Sequence, residues 1–215
     1  MDFSIEKSQL LKELALTQGV VEKKTTIPIL SNLLVEAEEE ILRISATDLE
    51  LGVCCHCPAK VKSPGSGTIP AKRLLEIVRS LPEAEVHFKA LENHWVEGTC
   101  ERSSFKLVGM ARDNFPMLPT LPPALATLPA NVFATAIQKT IFAISNEESR
   151  YTLNGGLLLL KPASVTMVAT DGHRLALIER DIKVPGLKNE LRLLPQEGYG
   201  GASEATLGRG RGVTG

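Results

Sequence analysis

The sequence lacks any apolar run of the roughly 18 residues that a membrane span needs. Its opening, MDFSIEKSQ, is charged at once and has no apolar signal core, so export is not expected and a cytoplasmic setting is. A disulfide framework is also missing. Cys54, Cys55 and Cys57 crowd into one short stretch and Cys100 stands apart, a pattern better suited to a reducing compartment. There is no excess of positive charge: 24 Lys and Arg face 25 Asp and Glu, for a net charge of −1. A protein that grips DNA tightly usually carries a large basic excess. Either DNA is not a partner, or positive charge is segregated onto one face. No GxxxxGK run followed by Ser or Thr occurs, which excludes a phosphate loop.

What is present is an apolar content of 43% over 215 residues, enough for one large domain or two ordinary ones. There is also an internal repeat. The string Ala-Thr-Asp occurs at Ala46–Asp48 and at Ala169–Asp171, an offset of 170 − 47 = 123. The same ungapped offset pairs Leu10 with Phe133, Leu14 with Ile137, Thr17 with Thr140 and Val21 with Ile144. It continues through Leu30 with Leu153, Leu34 with Leu157 and Val35 with Leu158. The join falls in Phe115–Pro129, whose five prolines exclude a regular helix or central strand. The expected organisation is residues 1–120, a Pro-rich linker at 121–128, a partial second repeat at 129–194 and a dissimilar tail at 195–215.

Each repeat opens with a helix. Leu10, Leu11 and Leu14 form an apolar stripe, with Ser8 as the expected cap and Gly19 as the expected end. In the second repeat Asn131 is the expected cap, and Phe133, Ile137, Ile141 and Ile144 recur along one side. Residues 31–55 and 155–179 read as hairpins, the latter turning at Lys161–Ser164. A second helix of the first repeat follows Pro70, with Leu74, Leu75, Ile77, Val78 and Leu81 on its buried face, and Pro82 stops it. The segments EVHFKAL, HWVEGTCE and SFKLVGM read as strands. One repeat is thus two helices and about eight strands, an α+β unit of helices on antiparallel sheets, and the second repeat is incomplete.

Two constellations invite chemistry and fail on geometry. Cys54-Cys55-His56-Cys57 suggests zinc, but neighbours on a strand point to opposite faces and cannot converge. Asp171 and His173 suggest an acid–base pair on one side of a strand, but no nucleophile or third group accompanies them. Asp48, at the matching repeat position, has no such histidine. No catalytic residue, metal or cofactor is expected.

The segments IPILSNLLVEA, ATDLELGV, TIPAKRLLEIVRSLP, FKLVGMARDNFPMLP and the run from KTIFAISNEESRYTLNGGLLL to VATDGHRLAL together resemble the bacterial β sliding clamp, in the order that family has them. The resemblance covers Met1 to about Leu194. It implies the DNA clamp fold: a ring of repeated domains with helices lining the hole and sheets outside, three domains to the usual chain, and a head-to-tail homodimer. It implies a non-enzymatic processivity factor that encircles double-stranded DNA without reading sequence. Its partners would be the replicative polymerase, the clamp loader and other clamp-binding proteins. Such a ring reconciles the net charge with DNA, because enclosure needs only a weakly positive inner surface. The candidates for that surface are Lys7, Lys12, Lys24, Lys72, Arg73 and Arg79 in the first repeat, and Lys139, Arg150 and Tyr151 in the second. The resemblance puts Lys24, Arg150 and Tyr151 nearest the duplex. It also implies an apolar cleft for a partner peptide at Leu153, Thr170, Gly172, His173, Arg174 and Leu175, half-built because its other wall belongs to a third domain.

The tail departs from the pattern. Adding 123 to Pro70 gives position 193, so a helix like PAKRLLEIVRSL is expected to begin near Leu193–Pro195, yet PQEGYGGASEATLGRGRGVTG has no apolar period. Synonymous codons for Pro195–Leu207 can be chosen that, with one base skipped, read PRKAMEELRKLL, the missing helix. A frameshift is one expectation, and a genuine tail on a truncated paralogue is the other. Either would leave the second repeat's sheet with an unpaired edge and an exposed apolar face. Either would also leave a chain unable to close a ring, with action as a fragment competing for clamp partners as the alternative function.

Overall fold

The computed structural model describes residues 1–21, 26–119, 127–145, 147, 153–184, 187 and 190–195. The chain divides into two compact units, Met1–Thr120 and Leu121–Gly215. Among the described residues no helix is long and apolar enough to cross a membrane.

Unit 1 begins with strand β1 (Asp2–Glu6), which runs straight into helix α1 (Lys7–Val21). Strands β2 (Asn32–Glu38), β3 (Ile41–Thr47), β4 (Gly52–Pro58), β5 (Lys60–Ser63) and β6 (Gly65–Pro70) follow, then helix α2 (Ala71–Ser80). Strands β7 (Glu85–Ala90), β8 (Trp95–Cys100) and β9 (Ser103–Val108) complete it. The strands form two antiparallel sheets, ordered β5-β1-β7-β8-β9 and β4-β3-β2-β6. One core joins both sheets to both helices. Leu10 and Leu14 of α1 and Leu74 and Val78 of α2 lie at helical spacing and are fully buried against Phe3, Leu33, Ile44 and Phe88.

Two helix boundaries differ from expectation. Ser8 lies inside α1 rather than capping it, because β1 leads directly into the helix and the Lys7 N–H is taken by the Ala84 carbonyl at 3.1 Å. Gly19 does not stop the helix either, since Val20 still has core to bury. Proline behaves more simply. Pro70 sits at the N-cap of α2, where a missing N–H costs nothing.

Unit 2 contains α3 (Ala130–Thr140), a 3-10 turn at Ile141–Ala143, and strands β10 (Gly155–Lys161), β11 (Ser164–Thr170), β12 (Leu175–Asp181) and β13 (Glu190–Pro195). Phe133, Ala136 and Ile137 of α3 pack on Leu158, Leu160, Val165, Met167 and Ala169. Asn131 is not the cap. Pro129 precedes the helix and its carbonyl accepts the N–H of Val132 and of Phe133, while Asn131 offers its own carbonyl to Thr135.

The sheet order β12-β11-β10-β13 repeats β4-β3-β2-β6 strand for strand. Leu34 opposite Ser45 becomes Leu157 opposite Val168, and Thr47 opposite Gly52 becomes Thr170 opposite Leu175, all displaced by 123. Asn32 opposite Pro70 becomes Gly155 opposite Pro195. Here the offsets are 155 − 32 = 123 and 195 − 70 = 125. Two residues have entered the repeat before β13. This corrects one expectation. Residues 193–195 are strand rather than the start of a helix, and β13 pairs with β10 at one edge of the sheet. The position matching the first residue of α2 is 196, beyond the described residues.

Candidate functional site

The helical side of unit 1 concentrates positive charge. α1 packs on α2, and Arg79 ties them by donating to Gln18 Oε1 at 3.2 Å. Lys12, Lys72, Arg73 and Arg79 are all exposed. The exposed acid on these two helices is Glu76, 3.6 Å from Arg73. The balance is reversed on the sheet side, where Glu38, Glu39 and Glu40 are exposed at the β2–β3 turn. A near-neutral chain thus carries a locally basic helix pair, sufficient for phosphate contact and without an arrangement for reading bases.

Lys7 leaves the set of candidates. Its ammonium donates to the Leu81 carbonyl at 2.7 Å and pairs with Glu83 at 3.3 Å, and its side chain is only 12% exposed. It joins the start of α1 to the end of α2. Lys139 is exposed in the last turn of α3. Lys24, Arg150 and Tyr151 lie outside the described residues.

The repeated Ala-Thr-Asp string encodes a turn. In unit 2 the Thr170 hydroxyl donates to the Arg174 carbonyl at 2.7 Å and accepts the Gly172 N–H at 3.1 Å. Asp171 Oδ1 accepts the backbone N–H groups of His173 and Arg174, each at 2.9 Å. In unit 1 Thr47 bonds the Leu51 carbonyl and the Leu49 N–H at 2.8 and 3.0 Å. Asp48 likewise accepts from Glu50 and Leu51 at 2.9 and 2.7 Å. The same hydrogen bonds recur 123 residues apart. Side-chain oxygens of Thr and Asp substitute for backbone partners in such turns, and one position requires positive φ. Gly172 fills it at φ +90° and Leu49 at φ +79°.

This changes the part played by several expected cleft residues. Thr170 and Gly172 build the turn, and the Thr170 hydroxyl is engaged within it. At Asp171 the two backbone N–H bonds hold the carboxyl down at about 2, with the Arg174 side chain adding to the effect. Asp171 and His173 meet through His173's backbone, not its imidazole. Arg174 is fixed by its Nε–H···Oδ2 bond to Asp171 at 2.9 Å and lies 5.7 Å over the ring of Phe142. Leu153 joins the same end of the unit, its carbonyl accepting the Ser145 N–H at 2.9 Å.

The outer sheet faces differ between units. In unit 1 the chain's own Phe115 is buried there with Ile29 and Leu30, against Leu34 and Met110. Leu118 reaches Gly52, where a Cβ would sit 3.2 Å from it. The matching positions in unit 2 are Leu153, Leu157 and Leu175, with Leu177 one pleat further along. Leu175 and Leu177 are 64% and 60% exposed and Leu157 is 36% exposed. Leu157, Val168 and Leu177 form one row across the sheet. An apolar row of this kind, beside a turn with fixed polar groups, has the character of a peptide-docking surface.

Cys55 and Cys57 turn into the unit 1 core while Cys54 and His56 face outward, so the four do not converge. Burial pushes the Cys55 thiol up to about 12 and that of Cys57 to about 11.

Family models of the DNA polymerase III beta subunit match twice: its N-terminal domain over residues 1–119 and its central domain over residues 127–201. The beta sliding clamp of Chlamydia pneumoniae is 38% identical over 183 residues, covering 85% of this chain and 50% of the relative. That of Pseudomonas aeruginosa is 34% identical over 200 residues, covering 92% and 54%. The chain thus spans about half the length of these relatives. A crystal structure of the Pseudomonas aeruginosa subunit matches with a TM-score of 0.89 and 32% identity, over 97% of this chain and 57% of that one. The Caulobacter crescentus subunit gives 0.88 and 36%, over 99% and 59%. On these matches the chain belongs to the DNA polymerase III beta subunit family, the bacterial β sliding clamps.

Proposed function

We propose that this chain carries two working surfaces of a DNA replication processivity factor: a helical face that meets duplex DNA without reading its sequence, and an apolar sheet face that docks partner proteins. The observation that carries the reading is the α1–α2 face, where Lys12, Lys72, Arg73 and Arg79 stand, among the described residues, against one exposed acid, Glu76. Lys139 belongs to the same set, and Lys24, Arg150 and Tyr151 join it by family resemblance. The docking face is Leu153, Leu175 and Arg174, shaped by the Thr170–Gly172 turn and flanked by His173. Its partners are the replicative polymerase, the clamp loader and other clamp-binding proteins. The role is non-enzymatic and its setting cytoplasmic.

Ring closure and homodimerisation belong to a three-domain protein. On this reading the 215 residues, about half a relative's length, are not expected to encircle DNA alone. The exposed Leu175 and Leu177 favour a second reading, in which this chain competes for clamp partners as an interaction module.

Fluorescence anisotropy on two duplexes of unrelated sequence tests the first reading. Binding is expected at low salt, equal for both sequences, with a dissociation constant on the order of 10⁻⁴–10⁻⁶ M. Replacing Lys72, Arg73 and Arg79 together by Ala is expected to flatten the dependence of log K on log salt by about 0.9 for each phosphate that is no longer neutralised. An unchanged slope, or a preference for one sequence, would refute it.

A further inference from the structure

In unit 1 the outer face of the β4-β3-β2-β6 sheet is covered by a stretch of chain that belongs to neither sheet. Its start is fixed at Met110, whose N–H and carbonyl both bond the Thr68 hydroxyl, at 2.7 and 2.9 Å. A 3-10 turn follows at Arg112–Asn114. The turn's backbone bonds, from the Asn114 N–H to the Ala111 carbonyl and from the Phe115 N–H to the Arg112 carbonyl, close within the stretch itself. Among the described residues no backbone hydrogen bond joins 111–118 to a strand. Side chains make the attachment instead. Phe115 is buried with Ile29 and Leu30 against Leu34 and Met110. Leu118 reaches Gly52, and Arg112 donates to Glu36 Oε1 at 2.7 Å.

This apolar cluster is separate from the core of unit 1. Alternation along β2 divides them: Leu33 and Val35 point into the core, Leu34 and Glu36 to the outer face. The sheet is therefore closed by its core on one side and carries the stretch on the other. A few anchoring side chains seated on a surface the fold already possesses is the way a peptide ligand is held. The backbone suits that role. Phe115 is extended at φ −78° and ψ 130°, as a residue before proline prefers. Gly52 makes the room for the second anchor, since a Cβ there would stand 3.2 Å from Leu118 Cδ2. The matching residue of unit 2 is Leu175, 64% exposed.

We propose that the outer face of this sheet is a peptide-binding surface in its own right, with the Arg112–Leu118 segment as its resident ligand. The surface takes an extended peptide with Phe and Leu three residues apart, a proline between them and a basic residue three before the Phe. A peptide from another molecule reaches it only by displacing the chain's own segment. This goes beyond docking at unit 2 and does not depend on it.

Binding of acetyl-Ala-Arg-Asp-Asn-Phe-Pro-Met-Leu-Pro-amide, the sequence of 111–119, to the full chain tests this. In the wild type the resident segment competes at an effective concentration on the order of millimolar, so the free peptide is largely shut out. With Phe115→Ala and Leu118→Ala together the anchors are gone, and the peptide is expected to bind at least about tenfold more tightly, shifting the Leu34 and Gly52 amides. Thermal melting is expected to show unit 1 still folded, because neither anchor belongs to its core. Adding Gly52→Leu to that variant fills the space of the Leu118 anchor and is expected to weaken the peptide by about tenfold again. Binding that survives Gly52→Leu would place the peptide elsewhere and overturn the proposal. A double variant that takes up no peptide, or whose unit 1 unfolds, would overturn it as well, since the segment would then be part of the fold and not its ligand.

Discussion

The two copies of the Ala-Thr-Asp turn differ at one residue in a way that has an energetic consequence. Leu49 and Gly172 hold the same positive-φ position, and only glycine does so without strain. Leu49 is 59% exposed, so little burial offsets its conformation. Relief of about 1–2 kcal/mol, less the roughly 0.5–1 kcal/mol of extra freedom glycine has when unfolded, predicts that Leu49→Gly stabilises unit 1 by up to about 1.5 kcal/mol. The reverse change, Gly172→Leu, is expected to cost unit 2 up to about 1.5 kcal/mol by the same difference. Urea unfolding followed by probes in each unit measures both, and a destabilising Leu49→Gly would show the turn to be unstrained.

Asp171 yields a prediction in pH. Its folded carboxyl is depressed from 3.8 to about 2, so its contribution to the turn is fully present above the unfolded value and is lost as pH falls through the folded one. The His173 and Arg174 amide resonances are expected to titrate with a midpoint near 2. A midpoint near 3.8 would mean that the two backbone bonds do not hold in solution.

At the scale of elements, much was legible from spacing. The apolar stripe of α1, the Pro70 start and Pro82 stop of α2, and the Lys161–Ser164 turn all follow from period and turn chemistry. The repeat was legible too, because the offset of 123 preserves register through two strand pairings. β13 was hidden because two inserted residues shift it to an offset of 125, so a projection from Pro70 landed inside a strand. Lys7 read as a solvent-facing cation because its acceptor, the Leu81 carbonyl, is distant in sequence. Tertiary contacts decide these cases, and local pattern does not contain them.

The crossing from β9 to the outer face of the second sheet was equally hidden. Thr68 anchors it: its hydroxyl donates to the Met110 carbonyl at 2.9 Å and accepts the Met110 N–H at 2.7 Å and an Asn32 amide N–H at 3.1 Å. Thr68 is buried, so Thr68→Val is expected to cost about 1–3 kcal/mol by leaving those partners unsatisfied. Chemical denaturation checks this. A loss below about 0.5 kcal/mol would mean that water replaces the hydroxyl.

For the whole molecule, surface and topology are separate requirements. A clamp holds DNA by enclosure, and its contact face need be only weakly basic. The proposed DNA face is the α1–α2 face of unit 1, locally basic in a chain whose net charge is −1. Enclosure requires a closed ring, and the proposal that this chain, about half a relative's length, does not close one alone can be tested. The most direct measurement is the lifetime of the purified 215-residue chain on a nicked circular plasmid, before and after linearisation, at physiological salt. Rapid dissociation is expected, at the same rate from both forms. Stable retention on the circle, lost when the circle is cut, would contradict this and show that the chain closes a ring by itself.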